Sequence, residues 1–428
     1  MAHVAFVCPP LPGHVNPLQA VAAELLARGH RASFFHQPDA ARLVRASGVS
    51  FHAIGADSHP PGDLDRAMAT MARLNGPFGL RAMLADVARN TDMLCRALPG
   101  ALRDAGVDAV VADQTEAAGA LVARHLRLPF VSTATALPLN TEPAVPPPFV
   151  GWPYDPSERG VRRNDGARRV IDWTMRPVER VVSGHAARFG LASSGRAEHF
   201  FSDRAQLAQA VPGLDFPRAA LPAAFRYLGP FRAAVEPEGS RLDAVDAPDD
   251  GRPLVFCSLG TLQGSRGWLF RRVAQACADL DVRLLVAHGG LLAPRDAARL
   301  PGRVSVHAFV AQRAVLARAS LAVTHAGFNT VLDALACGVP MVAVPLAFEQ
   351  PATGARLVRA GAARVLSPRL LTRARLRDAI GQVLDTPDFA RAARRLGDEI
   401  ARLPGARGAA DAIEGALGGS TPGFDPVG

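Results

Sequence analysis

HVAFVCPPLPGHVNPLQAVAAELLARGHRASFFH, residues His3 to His36, reads as one strand–helix–strand unit. His3 to Cys8 is a short apolar run, the mark of a buried strand. A Pro/Gly loop follows it. Leu18, Val21, Ala22, Leu25 and Leu26 then recur at helical spacing, with Asn16 placed to cap, Pro17 in the first turn and Gly29 at the stop. Arg31 to His36 is the second strand. Strands joined through a helix by links this short run parallel, with a right-handed crossover. The alternation continues with strands at Asp108 to Ala112 and Pro129 to Ser132 around a helix at Glu116 to His125.

The pattern restarts late in the chain. Leu254 to Ser258 is a strand, Trp268 to Leu280 a helix and Val282 to Ala287 a strand, followed by strands at Val304 to Phe309, Leu321 to Thr324 and Met341 to Val344. Residues 231–253 lack periodicity, carry Pro, Gly and acidic residues, and read as a linker in which Asp243, Asp246, Asp249 and Asp250 are solvated. The 428 residues, too many for one ordinary core, thus divide into an N-terminal domain (1–230), the linker (231–253) and a C-terminal domain (254–405). Residues 406–428 form a tail or helix expected to pack back toward the first domain. The fold class is α/β: two doubly wound Rossmann-like domains facing a central cleft, with the site in that cleft.

Composition narrows the function classes. Hydrophobic residues make up 49% and charged residues 20%, which suits a globular chain. The formal net charge of +9 comes from arginine alone, since lysine is absent. The arginines are scattered and not interleaved with aromatics, which argues against nucleic acid as a partner. Val4 to Cys8 stops at Pro9-Pro10 without a basic lead-in, so no secretion signal is read there and a cytoplasmic protein is expected. Cys8, Cys95, Cys257, Cys277 and Cys337 show no metal-ligand spacing and read as reduced thiols; no metal site is expected.

Thr324-His325-Ala326-Gly327-Phe328-Asn329-Thr330 follows a strand and opens a helix carrying Val331, Leu332, Leu335 and Ala336. Unpaired amides of a helix's first turn, added to its dipole, attract an anion. Gly327 lets a phosphate approach the backbone, and His325 and Thr330 are placed to donate to its oxygens. Asp333, one turn beyond Asn329 and Thr330, is placed to accept from ribose hydroxyls. Taken alone, the stretch reads equally well as a capped helix with an incidental histidine. The next strand ends in Phe348-Glu349-Gln350, where a carboxylate beside an amide suits two sugar hydroxyls.

Alcohol hydroxyls are poor nucleophiles at neutral pH and attack only with the help of a general base. His14, in Pro12-Gly13-His14-Val15-Asn16-Pro17, follows the first strand. The coming helix N-terminus is expected to disfavour imidazolium and keep this ring neutral. Asp113 ends a later parallel strand, so both side chains meet over one sheet edge, where a carboxylate fixes the imidazole tautomer. A solvated loop histidine and a turn-forming aspartate are the plainer readings of each residue alone.

FVAQRAVLARASLAVTHAGFNTVLDALACGVPMVAVPLAFEQ, Phe309 to Gln350, resembles the donor signature of nucleotide-sugar glycosyltransferases of the UDP-glycosyltransferase family. With ATALPLNTEPAVPPP in the first half, it is most similar to their bacterial branch that glucosylates carotenoids. The resemblance implies a GT-B fold and inverting transfer of glucose from UDP-glucose to a carotenoid diol such as zeaxanthin, with no cofactor beyond that co-substrate. It also implies that Phe309 stacks on the base, Val310 offers its backbone to the base edge and Gln312 lies near base and ribose. His325 and Thr330 would then hold the phosphates, Asp333 the ribose, and Glu349 and Gln350 the hexose, with Gly327 and Asn329 also counted among the donor-binding residues. The loop Ser258-Leu259-Gly260-Thr261 would close on the phosphates. Phe309 stands where many relatives carry tryptophan, which leaves UDP against TDP open.

Two segments fall outside the repeat: residues 57–100, with Met68, Met71, Met83, Met93 and Phe78, and residues 137–156, with Phe149, Trp152 and Tyr154. They read either as ordinary packing or as an adaptable wall for a lipophilic acceptor. With the positive charge, they raise the expectation of peripheral contact with the inner face of a membrane. Competing readings are a macrolide, polyketide or other lipid acceptor, a nucleotide-sugar epimerase, and a non-catalytic helper of the same fold.

Overall fold

The structure, a computed structural model, describes residues 1–72, 76–192, 197–232 and 250–418. Most of the expected linker, with Asp243, Asp246 and Asp249, and residues 419–428 of the expected tail lie outside the described residues.

The first sheet contains β1 (His3–Val7), β2 (Arg31–His36), β3 (Ser50–Ala53), β4 (Ala109–Asp113), β5 (Phe130–Ala134), β6 (Gln206–Ala208) and β7 (Phe225–Tyr227). Its order is β3-β2-β1-β4-β5-β6-β7, every pair parallel. The second contains β8 (Leu254–Ser258), β9 (Arg283–Ala287), β10 (Val304–His307), β11 (Leu321–Thr324), β12 (Met341–Ala343) and β13 (Ala363–Val365), in the parallel order β10-β9-β8-β11-β12-β13. Around the first sheet lie α1 (Pro12–Ala27), α2 (Asp63–Ala72), α3 (Gly76–Asp104), α4 (Ala117–Leu126) and α5 (Glu158–Arg188). Around the second lie α6 (Gly267–Cys277), α7 (Pro294–Ala297), α8 (Gln312–Leu316), α9 (Phe328–Ala336), α10 (Gln350–Ala360), α11 (Arg373–Asp385) and α12 (Pro387–Arg402), and α13 (Gly405–Leu417) closes the order.

The strand order reverses between β1 and β4 in one sheet and between β8 and β11 in the other. In open parallel sheets these switch points leave a crevice at the strands' carboxyl ends. β1, β4, β5 and β11 are buried along their whole length because helices cover both faces, which is why they read as continuous apolar runs.

One apolar cluster ignores the domain division. Leu137, Val211, Leu214 and Phe225 of the first half pack with Phe328, Leu332, Leu396 and Ile400 of the second. A buried ion pair crosses beside it, with Arg356 Nε donating to Asp215 Oδ1 at 2.8 Å and its guanidinium 4.2 Å above the Phe216 ring. The chain returns to the first domain where Gly405 N donates to Leu228 O at 2.7 Å. Gly405 has φ +56, and a Cβ there would meet the Pro230 carbonyl at 2.9 Å, so the crossing requires glycine. α13 then lays Ala406, Ala409, Ala410 and Ile413 into the cluster formed by Val15, Leu18, Val21 and Leu25 of α1.

The first helix corrects the sequence reading. It begins at Pro12, with Leu11 rather than Asn16 at the cap, and encloses Pro17. Pro17 has no N–H to offer the Gly13 carbonyl four residues back, and that carbonyl instead accepts from Asn329 Nδ2 of the other domain at 2.8 Å. Gly29, at φ +84, follows the helix end as expected.

Candidate active site

The two switch points face each other across a cleft of about 1560 Å³. On the first side, His14 sits in the opening turn of α1 and Asp113 ends β4. His14 Nδ1 lies 3.2 Å from Asp113 Oδ2 and 2.7 Å from Thr135 Oγ1. The Thr135 hydroxyl donates to Asp113 Oδ2 at 2.5 Å. A hydroxyl has one hydrogen, so Thr135 accepts from His14 and Nδ1 must carry the imidazole proton. Nε2 is left with a free lone pair, as a base requires. Thr115 completes the Asp113 shell, donating to Oδ1 from its backbone at 2.9 Å and its hydroxyl at 2.5 Å.

The charge balance at His14 reverses the sequence expectation. Burial alone would push its pKa down, but the Asp113 carboxylate, by charge and hydrogen bond, and the charge of Glu349 bring it above the ordinary histidine value. A carboxylate in contact outweighs the partial charge of a helix end. Burial drives Asp113 up, yet the imidazole and the two threonine hydroxyls hold it below the usual carboxylate range.

On the second side, β11 delivers His325 and α9 starts at Phe328 with Gly327 as cap and no side-chain hydrogen bond closing its first turn. Its leading amides are therefore open to an anion. Thr330 and Asp333 on α9, Ser258 at the end of β8 and Thr261 just beyond it line the cleft with them. Burial lowers the His325 pKa to about 4 against a hydrogen bond with the Ser258 backbone, so the ring is neutral at pH 7 and carries one donor. A Cβ at Gly327 would fall 2.3 Å from His325 Nε2. The glycine is thus required by the imidazole, not only by a phosphate. Ala326 and Phe348, at φ 65 and φ 55, hold left-handed backbone just before Gly327 and Glu349, strain of the kind kept where surroundings fix a site.

Other expected residues also reach the cleft, with their valences partly committed. Phe309 stays 57% exposed, a free ring face on the rim, and Val310 follows it. Gln312 Nε2 donates to Asp333 Oδ2 at 2.7 Å, while Arg232 Nε donates to Oδ1 at 2.7 Å. Gln350 Oε1 accepts from Leu346 N at 2.8 Å and Ala347 N at 2.9 Å, which leaves its NH₂ end for a ligand. Burial raises the Glu349 carboxyl above its usual value, opposed by the charge of His14. Asn329, expected among the donor contacts, spends both ends of its amide elsewhere, on Gly13 and on Gln209.

A family model described as UDP-glucoronosyl and UDP-glucosyl transferase matches residues 197–399. Over 97% of this chain and 96% of the relative, identity to a zeaxanthin glucosyltransferase of Pantoea ananas is 42%. The chain belongs to the UDP-glycosyltransferases. A zeaxanthin glucosyltransferase of Pseudescherichia vulneris is 38% identical over 98% of this chain and 99% of that protein. Among solved structures, the glycotransferase of kitacinnamycin has a TM-score of 0.76 at 23% identity, covering 97% of this chain and 99% of that one. The fold is GT-B.

In this glycosyltransferase the cleft opens, on the first domain, between helices outside the repeat. Met68 of α2, Met83, Leu84 and Val87 of α3, and Ile171, Met175 and Val178 of α5 line it, with Pro146 to Phe149 from the proline-rich loop. The methionine segment is therefore wall for the most part. Met93 is an exception, buried in the core against Leu94 and Val182. Trp152 and Tyr154 are also not wall: Trp152 lies under the Arg163 guanidinium at 4.9 Å and Tyr154 tilts against Phe216 at 5.8 Å. Sequence reading missed α5, Thr135, Gln209 and Arg232. For α5 the signal was present, since Ile171, Met175, Val178 and Val182 share one helical face.

Proposed function

We propose that this enzyme moves glucose from UDP-glucose to a hydroxyl of a carotenoid diol such as zeaxanthin, by one inverting displacement with His14 as general base. The observation that carries the reading is the tautomer-fixed His14 facing the open first turn of α9 across a cleft with a methionine-rich apolar wall. The N-terminal domain holds the acceptor and the C-terminal domain the donor. The acceptor oxygen attacks the anomeric carbon while His14 Nε2 takes its proton. The bond from that carbon to the diphosphate oxygen breaks, and UDP leaves with the electron pair toward α9, His325 and Thr330. Ser258 and Thr261 close over the phosphates. Phe309 stacks on the base, with Val310 at its edge. Asp333, held in place by Gln312, accepts from the ribose; Glu349 and the Gln350 amide orient the hexose. Backbone amides and neutral donors stabilise the leaving charge, so no metal ion takes part.

The names of the two curated relatives support the acceptor and the sugar. Purified enzyme with UDP-glucose and zeaxanthin, followed by mass spectrometry, should give one or two added hexoses, unchanged by EDTA. Dependence on an added divalent ion would overturn the metal-free step. No glucosylated product, with UDP-glucose still raising Tm, would sink the carotenoid acceptor and favour another lipophilic alcohol.

Among the described residues no helix is long and apolar enough to cross a membrane. The wall helix α5 nevertheless suits a lipid surface. Its inner face lines the cleft, while its outer face exposes Val170 and Trp173 among Arg169, Arg176 and Arg180. An apolar acceptor could then pass from bilayer to cleft beside one helix. Flotation with acidic vesicles at low salt should carry the enzyme upward, and Trp173→Ala should reduce that; an enzyme that stays at the bottom of the gradient contradicts it.

A further inference from the structure

Asn329 lies inside the donor signature, yet its side-chain amide is taken up by the first domain and its backbone carbonyl by the linker residue Arg232. Its Nδ2 donates to Gly13 O at 2.8 Å, its Oδ1 accepts from Gln209 Nε2 at 3.3 Å, and its backbone carbonyl accepts from Arg232 Nη2 at 3.1 Å. Gly13 is the residue before His14. Its carbonyl is available because Pro17, four residues on, has no N–H to give it. Gln209 is itself fixed: Nε2 donates to Thr135 O at 2.7 Å, and Oε1 accepts from Phe231 N and Arg232 Nη1, each at 2.9 Å. Thr135 is the hydroxyl that sets the His14 tautomer. The Asn329 amide therefore ties the start of α9, where the diphosphate is to sit, to both elements that position the base.

We infer that Asn329 is a positioning residue: with Gly13 and Gln209 it forms an interdomain latch that fixes the separation of base and donor seat. The inference rests on the reading of His14 as base and α9 as donor seat. A donor ligand and a latch differ in what their loss does. Removing a ligand weakens nucleotide binding. Removing the latch leaves α9 and its amides intact within the C-terminal domain but lets His14 drift from the anomeric carbon. Small displacements of a reacting group carry large rate penalties. Water then competes with the acceptor in the loosened cleft.

The experiment compares wild type, Asn329→Ala, Gln209→Ala and the double variant. It measures the dissociation constant of UDP by calorimetry, the turnover of UDP-glucose split between transfer to acceptor and hydrolysis, and hydrogen exchange of residues 11–16. The latch predicts UDP affinity within about twofold of wild type, transfer lowered about tenfold, a larger hydrolysed share and faster exchange in residues 11–16. The double variant should be little worse than either single one, since both break one network. UDP binding weakened as much as transfer would make Asn329 a donor ligand and overturn the inference, as would additive losses in the double variant. If wild type does not glucosylate zeaxanthin, the acceptor reading has failed; UDP affinity and exchange in the variants then decide the latch by themselves.

Discussion

Replacing His14 by alanine should lower kcat by about 10²- to 10⁴-fold, the range a positioned general base supplies, and leave UDP binding nearly unchanged. The asymmetry follows from where the groups reside. His14 belongs to α1 and leans on Asp113 and Thr135, all in the first domain. The anion seat at α9 and the exposed Phe309 ring belong to the second. Removing the imidazole deletes the proton acceptor and leaves those groups in place. Steady-state transfer beside calorimetry with UDP separates the two effects. Wild-type turnover in the alanine variant would dismiss His14 as base, and a matching loss of UDP affinity would recast it as a binding residue.

Asp113→Asn should cost about 10²-fold or more in kcat and also move the pH profile. The wild-type carboxylate accepts only, which obliges Thr135 to point its proton toward it and Nδ1 of His14 to keep its own. An asparagine amide turned toward the ring would instead favour the tautomer with the proton on Nε2, where the base needs a lone pair. The active form of His14 is neutral, so kcat/KM rises with pH through the His14 pKa. That pKa lies above the ordinary histidine value in wild type because Asp113 and Glu349 favour the charged ring against burial. With the Asp113 charge gone, burial dominates, and the acidic limb should shift to lower pH even as the plateau falls. A limb that stays in place would mean that the carboxylate does not set the base.

The sequence was most legible where both faces of an element are buried. β1, β8 and β11 announce themselves because helices on either side demand apolar residues throughout, and the chemistry follows at their carboxyl ends. The start of α1 was hidden because Pro17 resembles a first-turn proline; only the Asn329 amide, over three hundred residues away in sequence, explains how it is accommodated inside the helix. The sign of the His14 shift was equally illegible, being decided by carboxylates on two other elements, one in each domain. Thr135, at the end of a strand, carries no chemical flag in sequence although it determines the tautomer. Arg232 was passed over because it was counted as linker, yet it reaches Asp333 and the Asn329 carbonyl.

The contact between α1 and α13 also bears on how the molecule is made. Val15, Leu18, Val21 and Leu25 leave the ribosome early, but Ala406, Ala409 and Ile413, which cover them, emerge almost four hundred residues later. At ordinary elongation rates that gap lasts about 20–80 s. During it the nascent first domain displays an apolar stripe that nothing yet shields, a target for chaperones and a hazard for aggregation. A fragment of residues 1–230 would keep that stripe uncovered permanently, so the two halves are not separable modules despite their matching architecture. Covering it with the separately supplied peptide 403–418 should restore solubility to such a fragment.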